Sequence, residues 1–400
     1  MHWSVFTAAP HRVMMFGGAV QLIATLLFWS VELAGRYTAL WDAPATTVPA
    51  TVAHGFMMLY SLFVFFVFGF LMTTYPRWMN GEPIPQARYV STFVLLFSGV
   101  LVSYLGLFTS RWIVALGTVL ILAGYLAGLR ALWCVFRAAP TRNKHYETLL
   151  NAALGMAALG VLSYLVWLFK EGWYLLELAR QIGVWGFMTT VLVTVSHRML
   201  PFFTSCVPGT EPVNQPRGGL MVMLGAVWLH GLLEIAGLLQ WTWLVDLPLA
   251  VVAGYHLRQW GITRSMHVRL LAVLHIAFAW LVIAAALFAV RSLCIFATGL
   301  DYLARAPLHA LGIGFFVGMT IAMVTRVTLG HSGRALEMDR YTWALFWGIG
   351  LSALLRIGGE LPGAEHANLL AAGLLLVVLT LWAVRHIPIY LRPRVDGAPG

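Results

Sequence analysis

Apolar positions form long runs separated by short polar connections, and most runs are long enough to cross a lipid bilayer as helices. A bilayer-spanning helix needs roughly 20 consecutive apolar residues. The predicted spans are residues 12–32, 52–72, 91–108, 113–133, 149–168, 181–199, 219–238, 243–257, 270–289, 308–325, 341–357 and 367–385. The pattern therefore predicts an all-α protein, a polytopic transmembrane helix bundle of about twelve helices.

Four of the predicted spans have features that set their shape or packing. The third and fourth meet at a tight turn at Ser110 and Arg111. The eighth is short and contains Asp246 and Pro248, so we expect it to be kinked or partly re-entrant. In the tenth, Gly314 and Gly318 form a GxxxG pattern, which predicts close packing against a neighbouring helix.

The connections between the runs are too short to hold a further domain. Even the longest, at 33–51, 200–218 and 290–307, carry no apolar periodicity of their own. We therefore expect a single membrane domain over residues 1–400 and no soluble domain. The N-terminal segment lacks the basic region of a signal peptide and leads into a full-length span, so we expect it to remain uncleaved.

Composition supports lipid as the surrounding solvent. Hydrophobic residues make up 60% of the chain and charged residues only 10%, whereas soluble domains carry about 25% charged residues. The lipid bilayer is thus the first expected partner. The net charge of +10 does not indicate nucleic acid binding, because the basic residues lie in short connections. The three cysteines are far apart and form no CxxC, which argues against a disulfide framework.

The basic residues also predict an orientation. If the N-terminus, the connections after even-numbered spans and the C-terminal tail share one face, the other face holds few of the 25 Lys and Arg residues: Arg36, Arg111, Lys170, Arg180, Arg291, Arg305 and Arg356. The remaining basic residues, Arg217 among them, lie on the first face. Cytoplasmic connections are enriched in Lys and Arg, so both termini are expected inside.

Histidine is the residue type that indicates chemistry. His54 opens the second predicted span and His309 opens the tenth, which places both at the outer ends of their helices. Two histidines at the same depth on facing helices can ligate one haem iron axially. Gly55, beside His54, and Ala310 and Gly312, beside His309, would let a flat macrocycle approach. A polar helix start at the membrane interface is the alternative.

A second candidate lies in the seventh span. His230 and Glu234 are four residues apart, which puts them on one face of a helix. A carboxylate beside a histidine can fix the tautomer of a metal ligand or take part in a proton path. A buried polar pair that satisfies itself is the alternative. We assign the pair as catalytic candidates, with His230 also a candidate metal ligand beside His54 and His309.

A third group of polar residues lies toward the inner face. His11 and Arg12 precede the first span, His275 lies about one turn into the ninth, and Arg326 to His331 follow the tenth. Imidazoles there are candidate cofactor ligands, with His275 the deepest. The arginines could pair with haem propionates or with lipid phosphates. Met58, one turn beyond His54, is a candidate copper contact. Walker, GxSxG, HExxH and EF-hand motifs are absent, so hydrolase and NTPase functions lack support.

Three segments resemble the NnrS family. They are His54-Gly55-Phe56 through FGFLMTTYPRW, which ends at Trp78; RMLPFFT at Arg198 to Thr204; and HALGIGFFVGMTIAMVTRVTLGHSGRAL from His309 to Leu336. The resemblance implies a twelve-span protein of the bacterial inner membrane that contains haem and copper. It also implies a link to nitric oxide, denitrification and nitrosative-stress tolerance. It adds His331 and Arg334 to His54 and His309 as motif positions.

The chain also has a more distant likeness to the haem–copper oxidases and related nitric oxide reductases. In that superfamily, outer-end histidines of the second and tenth helices hold the low-spin haem, where His54 and His309 stand here. The superfamily also has a second histidine on the tenth helix and an adjacent histidine pair on the seventh. This chain lacks both, which argues against a three-histidine copper site.

The resulting hypothesis is a membrane haem protein that acts in nitric oxide metabolism or defence. Haem b would be held by His54 and His309, with copper as a second candidate metal, and His230 with Glu234 would supply protons. Three alternatives stay open: a reductase that draws electrons from quinol, a transporter of metal or small solute, and an assembly factor.

Overall fold

The computed structural model describes residues 3–207, 213–216 and 218–397. Within these residues it is helical and contains no strand. Arg217 of the predicted basic face, and Met1 and His2 of the N-terminal segment, lie outside the described residues. The long helices are α1 (Pro10–Tyr37), α2 (Ala50–Trp78), α3 (Gln86–Thr109), α4 (Arg111–Ala138), α5 (His145–Lys170), α6 (Trp173–Ser205), α7 (Gly219–Ile235), α8 (Trp243–Gln259), α9 (Arg269–Thr298), α10 (Ala306–His331), α11 (Arg340–Gly358) and α12 (His366–Leu391).

The all-helical prediction is confirmed, and each predicted span falls on one of these helices. Among the described residues, nine helices are long and apolar enough to cross a membrane. The exceptions are α7, α8 and α11. Helix α7 is apolar but has only 17 residues, and α8 contains both Asp246 and Pro248. Pro248 lies inside α8, where a proline removes one backbone hydrogen bond, but the helix continues through it to Gln259.

The chain folds into two compact units. The first comprises Met1–Phe187, Val327–Ala335 and Leu379–Gly400, and the second comprises Met188–Arg326 and Leu336–Val378. The predicted single domain over residues 1–400 stays a prediction.

In the first unit, α3 and α4 pack through small residues. Ser110 separates the two helices, and its hydroxyl accepts a hydrogen bond from the Trp112 N–H at 3.3 Å, which caps the start of α4. A Cβ added to Gly99 would lie 2.8 Å from the Gly117 carbonyl oxygen. A Cβ added to Gly106 would overlap the backbone of Val114. Helix backbones approach this closely only where side chains are absent.

In the second unit, the GxxxG pattern of α10 contributes to helix packing mainly through its first glycine. A Cβ at Gly314 would overlap the indole ring of Trp280 on α9. At Gly318 the nearest atom would be the Ala277 side chain at 3.5 Å, an ordinary contact. The predicted close packing is therefore confirmed at Gly314, and its partner is an aromatic ring of α9.

In the part of the chain that the structure describes, three helices contain a π-helical segment, which the sequence did not predict. These segments are Met57–Leu62 in α2, Ile182–Thr189 in α6 and Ala310–Val317 in α10. The first begins three residues after His54, and the third begins directly after His309. Such segments are rare and occur often at functional sites, because they change which side chains share a helix face. Both predicted haem ligands thus stand where the helix changes its winding.

Candidate functional site

A buried histidine–carboxylate pair lies between α7 and α8 of the second unit. Nδ1 of His230 is 2.6 Å from Oδ1 of Asp246, which is a hydrogen bond. Both side chains are only 1% exposed. Two ionisable groups so deep in an apolar helix pair are expensive unless they satisfy each other. The pairing explains how α8 tolerates an aspartate within its apolar sequence.

Further charged residues extend this pair toward the surface. Glu234 Oε1 lies 3.5 Å from Nε2 of His230 and 3.6 Å from a guanidinium nitrogen of Arg291. Arg291 in turn pairs with Asp301 at 2.7 Å. Side-chain exposure rises along the series, from 4% at Glu234 to 18% at Arg291 and 35% at Asp301. We call these five residues the α7–α9 polar chain; it connects a buried histidine to an exposed carboxylate.

The outer end of the polar chain is a strong ion pair. Burial acts to raise the pKa of the Asp301 carboxyl, but hydrogen bonds and charge from Arg291 outweigh it and hold the pKa below its usual value. Backbone N–H groups of Ala304 and Leu303 act in the same direction. Asp301 therefore stays ionised and fixes the guanidinium that faces Glu234.

The polar chain contains the predicted pair His230 and Glu234, and it adds three residues that the sequence analysis did not place there: Asp246, Arg291 and Asp301. Asp246 had been noted only as an irregularity of the eighth span, and Arg291 only as a basic residue of the outer face. An aspartate inside an apolar run was the available signal, because such a residue needs a buried partner. Periodicity within one helix could not identify a partner on another.

In the first unit, the structure brings together the predicted inner-face residues His11, Arg12, His331 and Arg334. The imidazole rings of His11 and His331 have centroids 4.8 Å apart and are tilted by 38°. Besides His331, the charged side chains that interact electrostatically with His11 are all arginines: Arg12, Arg77 and Arg394. Arg334 and Arg394 also act on Arg12. These six residues form what we call the arginine–histidine cluster.

Arg12 has a structural part in this cluster. Its guanidinium donates hydrogen bonds to the main-chain carbonyls of Val5 at 3.1 Å, Tyr390 at 3.1 Å and Arg392 at 2.9 Å. The side chain is 3% exposed. The three carbonyls accept hydrogen bonds from the two terminal nitrogens of this buried guanidinium. Arg12 thus joins the start of α1 to the end of α12, a role that the sequence analysis did not foresee.

His54, in the first unit, stacks on an aromatic ring. Its imidazole lies 4.0 Å from the Trp29 indole centroid with the planes 17° apart. Arg36 lies over the same indole at 5.4 Å and pairs with Glu32 at 2.6 Å. A Cβ at Gly55 would meet no atom of the described residues within 4 Å. The indole orients the imidazole, and the neighbouring helix surface is open.

His309, in the second unit, has a defined tautomer. Its Nδ1 lies 2.9 Å from the carbonyl oxygen of Arg305. Because a carbonyl can only accept, Nδ1 carries the proton and Nε2 carries the lone pair, which is the usual arrangement of a metal-ligating histidine. A Cβ at Gly312 would meet no atom of the described residues within 4 Å. His54 and His309 belong to different units, and their pairing on one haem stays a prediction.

Comparison with known protein families identifies the family of the chain. The family described as NnrS protein matches residues 5–394, nearly the whole chain. The chain belongs to the NnrS family. A search of curated proteins finds no match. The family resemblance stated from the sequence segments is thereby confirmed.

His275, the deepest inner-face candidate of this NnrS-family chain, is fully buried. Its Nε2 lies 3.1 Å from the Thr204 hydroxyl, which itself donates to the Leu200 carbonyl at 2.9 Å. With its proton on the carbonyl, the hydroxyl accepts from His275, so Nε2 is protonated and Nδ1 carries the lone pair. Nδ1 is buried without a hydrogen-bond partner among the described residues. Any ligation by His275 in this arrangement would use Nδ1.

Two further buried histidines of the second unit lie near one tryptophan. The rings of His197 and His256 are 5.7 Å apart, and Trp260 contacts both. Both histidines are buried, with 6% and 2% of their surface exposed. Among the described residues, no group of three His, Cys, Asp or Glu side chains has an arrangement that could hold a metal ion. The geometry of the described residues therefore provides no site for the predicted copper ion.

Proposed function

We propose that this NnrS-family chain is a haem protein of the bacterial inner membrane that acts in nitric oxide metabolism or nitrosative-stress defence. The observation that carries the proposal is the family match over residues 5–394. The proposal includes twelve membrane crossings with both termini on the cytoplasmic side, as the distribution of Lys and Arg favours. Copper is retained as a second candidate metal.

His54 and His309 are the residues proposed to hold haem b. Three features of the chain fit this role: the tautomer of His309, which has its proton on Nδ1, the open helix surfaces at Gly55 and Gly312, and the π-helical segments that follow both histidines. Bound haem would supply an iron atom that can bind nitric oxide and change oxidation state. The protein's part is to orient both imidazoles, through the Trp29 indole for His54 and the Arg305 carbonyl for His309.

The α7–α9 polar chain is proposed to hold and deliver protons. His230 lies between two carboxylates, so it can accept a proton from Glu234 and be stabilised as a cation by Asp246. His230 was also a candidate metal ligand. Arg291, 3.6 Å from Glu234, disfavours a metal cation at Nε2 by charge repulsion. We therefore assign His230 and Glu234 to proton handling.

The first experiment records reduced-minus-oxidised visible spectra of the purified protein with and without nitric oxide. A b-type spectrum that is lost in both His54→Ala and His309→Ala, but kept in the exposed-site control His145→Ala, is the expected result. A nitric oxide-dependent spectral change would identify the reactive centre. Absence of haem from the wild-type protein, expressed with ample haem, would overturn the proposal and leave the transporter alternative first.

A quinol-dependent nitric oxide reductase is the second candidate, and the polar chain favours it because reduction of nitric oxide to nitrous oxide and water consumes protons. Electrons would come from a quinol. Consumption of nitric oxide by the purified protein with a quinol analogue, and slower consumption in Glu234→Gln, would support the reductase. Spectral binding of nitric oxide without consumption would support a sensing or carrier role.

A further inference from the structure

The arginine–histidine cluster of the first unit holds an excess of positive charge. The guanidinium groups of Arg12, Arg77 and Arg394 interact electrostatically with the imidazoles, and that of Arg334 interacts with Arg12. The charged groups that act on His11 and His331 include no carboxylate. One acid lies beside the cluster: Asp396, which pairs with Arg394 at 2.6 Å. Like charges gathered in a partly buried place repel one another unless an anion compensates them.

Several hydrogen-bonding atoms of the cluster are also unused. Nδ1 of His11, Nε of Arg12 and a terminal nitrogen of Arg334 are buried without a hydrogen-bond partner among the described residues. The His11 side chain is only 4% exposed, so ordinary bulk water does not solvate it. A buried polar atom that lacks a partner costs free energy. Unused donors and excess positive charge in one place both indicate an anionic ligand with oxygen acceptors.

The positions of the cluster residues are set by the backbone. His331 ends α10, and the following turn pairs with the C-terminal segment, where the Val395 N–H donates to the Ser332 carbonyl at 3.2 Å. His11 begins α1 and is held there by the hydrogen bonds of its neighbour Arg12. Arg77 lies near the end of α2 and is exposed. The cluster is thus built at one end of three helices, with one side accessible.

We propose that the arginine–histidine cluster binds an oxyanion, either a free inorganic oxyanion or the phosphate group of a lipid. Guanidinium groups match the geometry of phosphate oxygens through paired hydrogen bonds. A metal cation between the two imidazoles would be repelled by the positive charges of Arg12, Arg77 and Arg394, so the same arrangement disfavours copper there. The proposal does not depend on haem or nitric oxide chemistry.

Thermal unfolding of the full-length protein in detergent tests the proposal. Sodium phosphate is titrated against sodium chloride of equal ionic strength, which removes general salt effects. Phosphatidylglycerol is compared with a diacylglycerol of the same acyl chains, which lacks the phosphate. A saturable rise in Tm with phosphate would identify a free oxyanion. A rise with phosphatidylglycerol alone would identify a lipid headgroup.

Variants assign the effect to the cluster. Arg334→Gln and His331→Gln should weaken the apparent affinity by roughly tenfold, the loss expected for one charge-assisted hydrogen bond. Arg334→Lys should keep part of the response, because it keeps the charge but not the paired geometry. Arg88→Gln, at an exposed position of the same unit, should respond as the wild type does.

Two results would overturn the proposal. The first is no saturable rise with either ligand, or a rise that is equal in all variants. The second is that Arg334→Gln and His331→Gln lose haem and do not respond to either ligand. That result would mean that these residues bind the carboxylates of the cofactor. Haem content is measured on every sample, so the outcome for this site is separable from the outcome for His54 and His309.

Discussion

Nδ1 of His230 and Oδ1 of Asp246 lie 2.6 Å apart, although 16 positions separate the two residues in sequence. The hydrogen bond joins α7 and α8 at a point where both side chains are buried. These are two of the three long helices that do not satisfy the length and hydropathy expected of a membrane span. The buried His230–Asp246 hydrogen bond therefore stabilises two helices of the second unit that do not reach the length and hydropathy of a typical membrane span.

The His230–Asp246 contact is expected to contribute measurably to stability. Asp246→Ala and His230→Ala should each lower the apparent Tm, because each leaves a buried polar partner without its hydrogen bond. In a double-mutant cycle, the coupling free energy should be roughly 1–3 kcal/mol. Asp42→Ala, at an exposed position of a connection, is the control and should leave Tm unchanged. Additive effects of the two alanine substitutions would contradict the contact.

The Arg291–Asp301 pair should give a pH-dependent contribution to stability. The folded pKa of Asp301 lies below its unfolded value, which is about 3.9. Its contribution is therefore fully present above the unfolded pKa and is lost as the pH falls through the folded pKa. Asp301→Asn should be less stable than the wild type at neutral pH, by less than about 1 kcal/mol because Asp301 is the most exposed residue of the polar chain and solvent screens its charge.

Chemical unfolding of both proteins between neutral and acidic pH measures this difference. The two stability curves should converge as the pH drops below the folded pKa of Asp301. High salt should reduce the difference at neutral pH, since exposed ion pairs are screened. If the stability difference between the two proteins grew on acidification, the predicted direction of the pH dependence would be wrong.

The open helix surfaces beside the two proposed haem ligands can be filled without disturbing packing. Gly55→Leu and Gly312→Leu should lower the haem content while leaving the yield of folded protein near that of the wild type, because a Cβ there meets no described atom. Gly373→Leu, which is equally open and lies on α12, should retain haem. The absorbance ratio of haem to protein is the measurement. Full haem content in both glycine variants would argue against a macrocycle beside either histidine.

The contact between α3 and α4 should tolerate no side chain at Gly106. A Cβ there lies 2.8 Å from the carbonyl carbon of Ile113 and overlaps Val114, so Gly106→Leu must separate the helices. We expect a loss of about 1–3 kcal/mol or more, measured as a lower Tm and a lower monodisperse fraction after purification. Gly155→Leu on α5 has open space around it and should behave as the wild type.

The helix pattern was predictable because each membrane helix carries its own signal. An apolar run of bilayer length, such as 270–289 within α9, needs no partner to be recognised. Most observed helices are longer than the predicted spans, since polar residues at their ends, such as His366 of α12, continue the helix beyond the apolar run. Helix α7 is the opposite case, because it ends at Ile235, before the predicted end at residue 238. The predicted break at Ser110 is found at that residue because a serine cap is a local feature.

The site was predictable only in part, because its contacts join distant segments. His230 and Glu234 could be paired from their spacing on one helix, whereas Asp246 and Arg291 required the packing of α7, α8 and α9. The π-helical segments after His54 and His309 have no sequence signature comparable to an apolar run. The roles of His256 and His275 depend on which nitrogen is protonated, and this is set by the Val252 carbonyl and the Thr204 hydroxyl.

The hydrogen bonds of Arg12 have a consequence for biosynthesis. Its acceptor Tyr390 is made 378 residues later, and the first unit draws on both ends of the chain. Helix α1 therefore enters the membrane before the residues that satisfy its buried cation have left the ribosome. Membrane insertion of the early helices and final assembly of the first unit must be separate events.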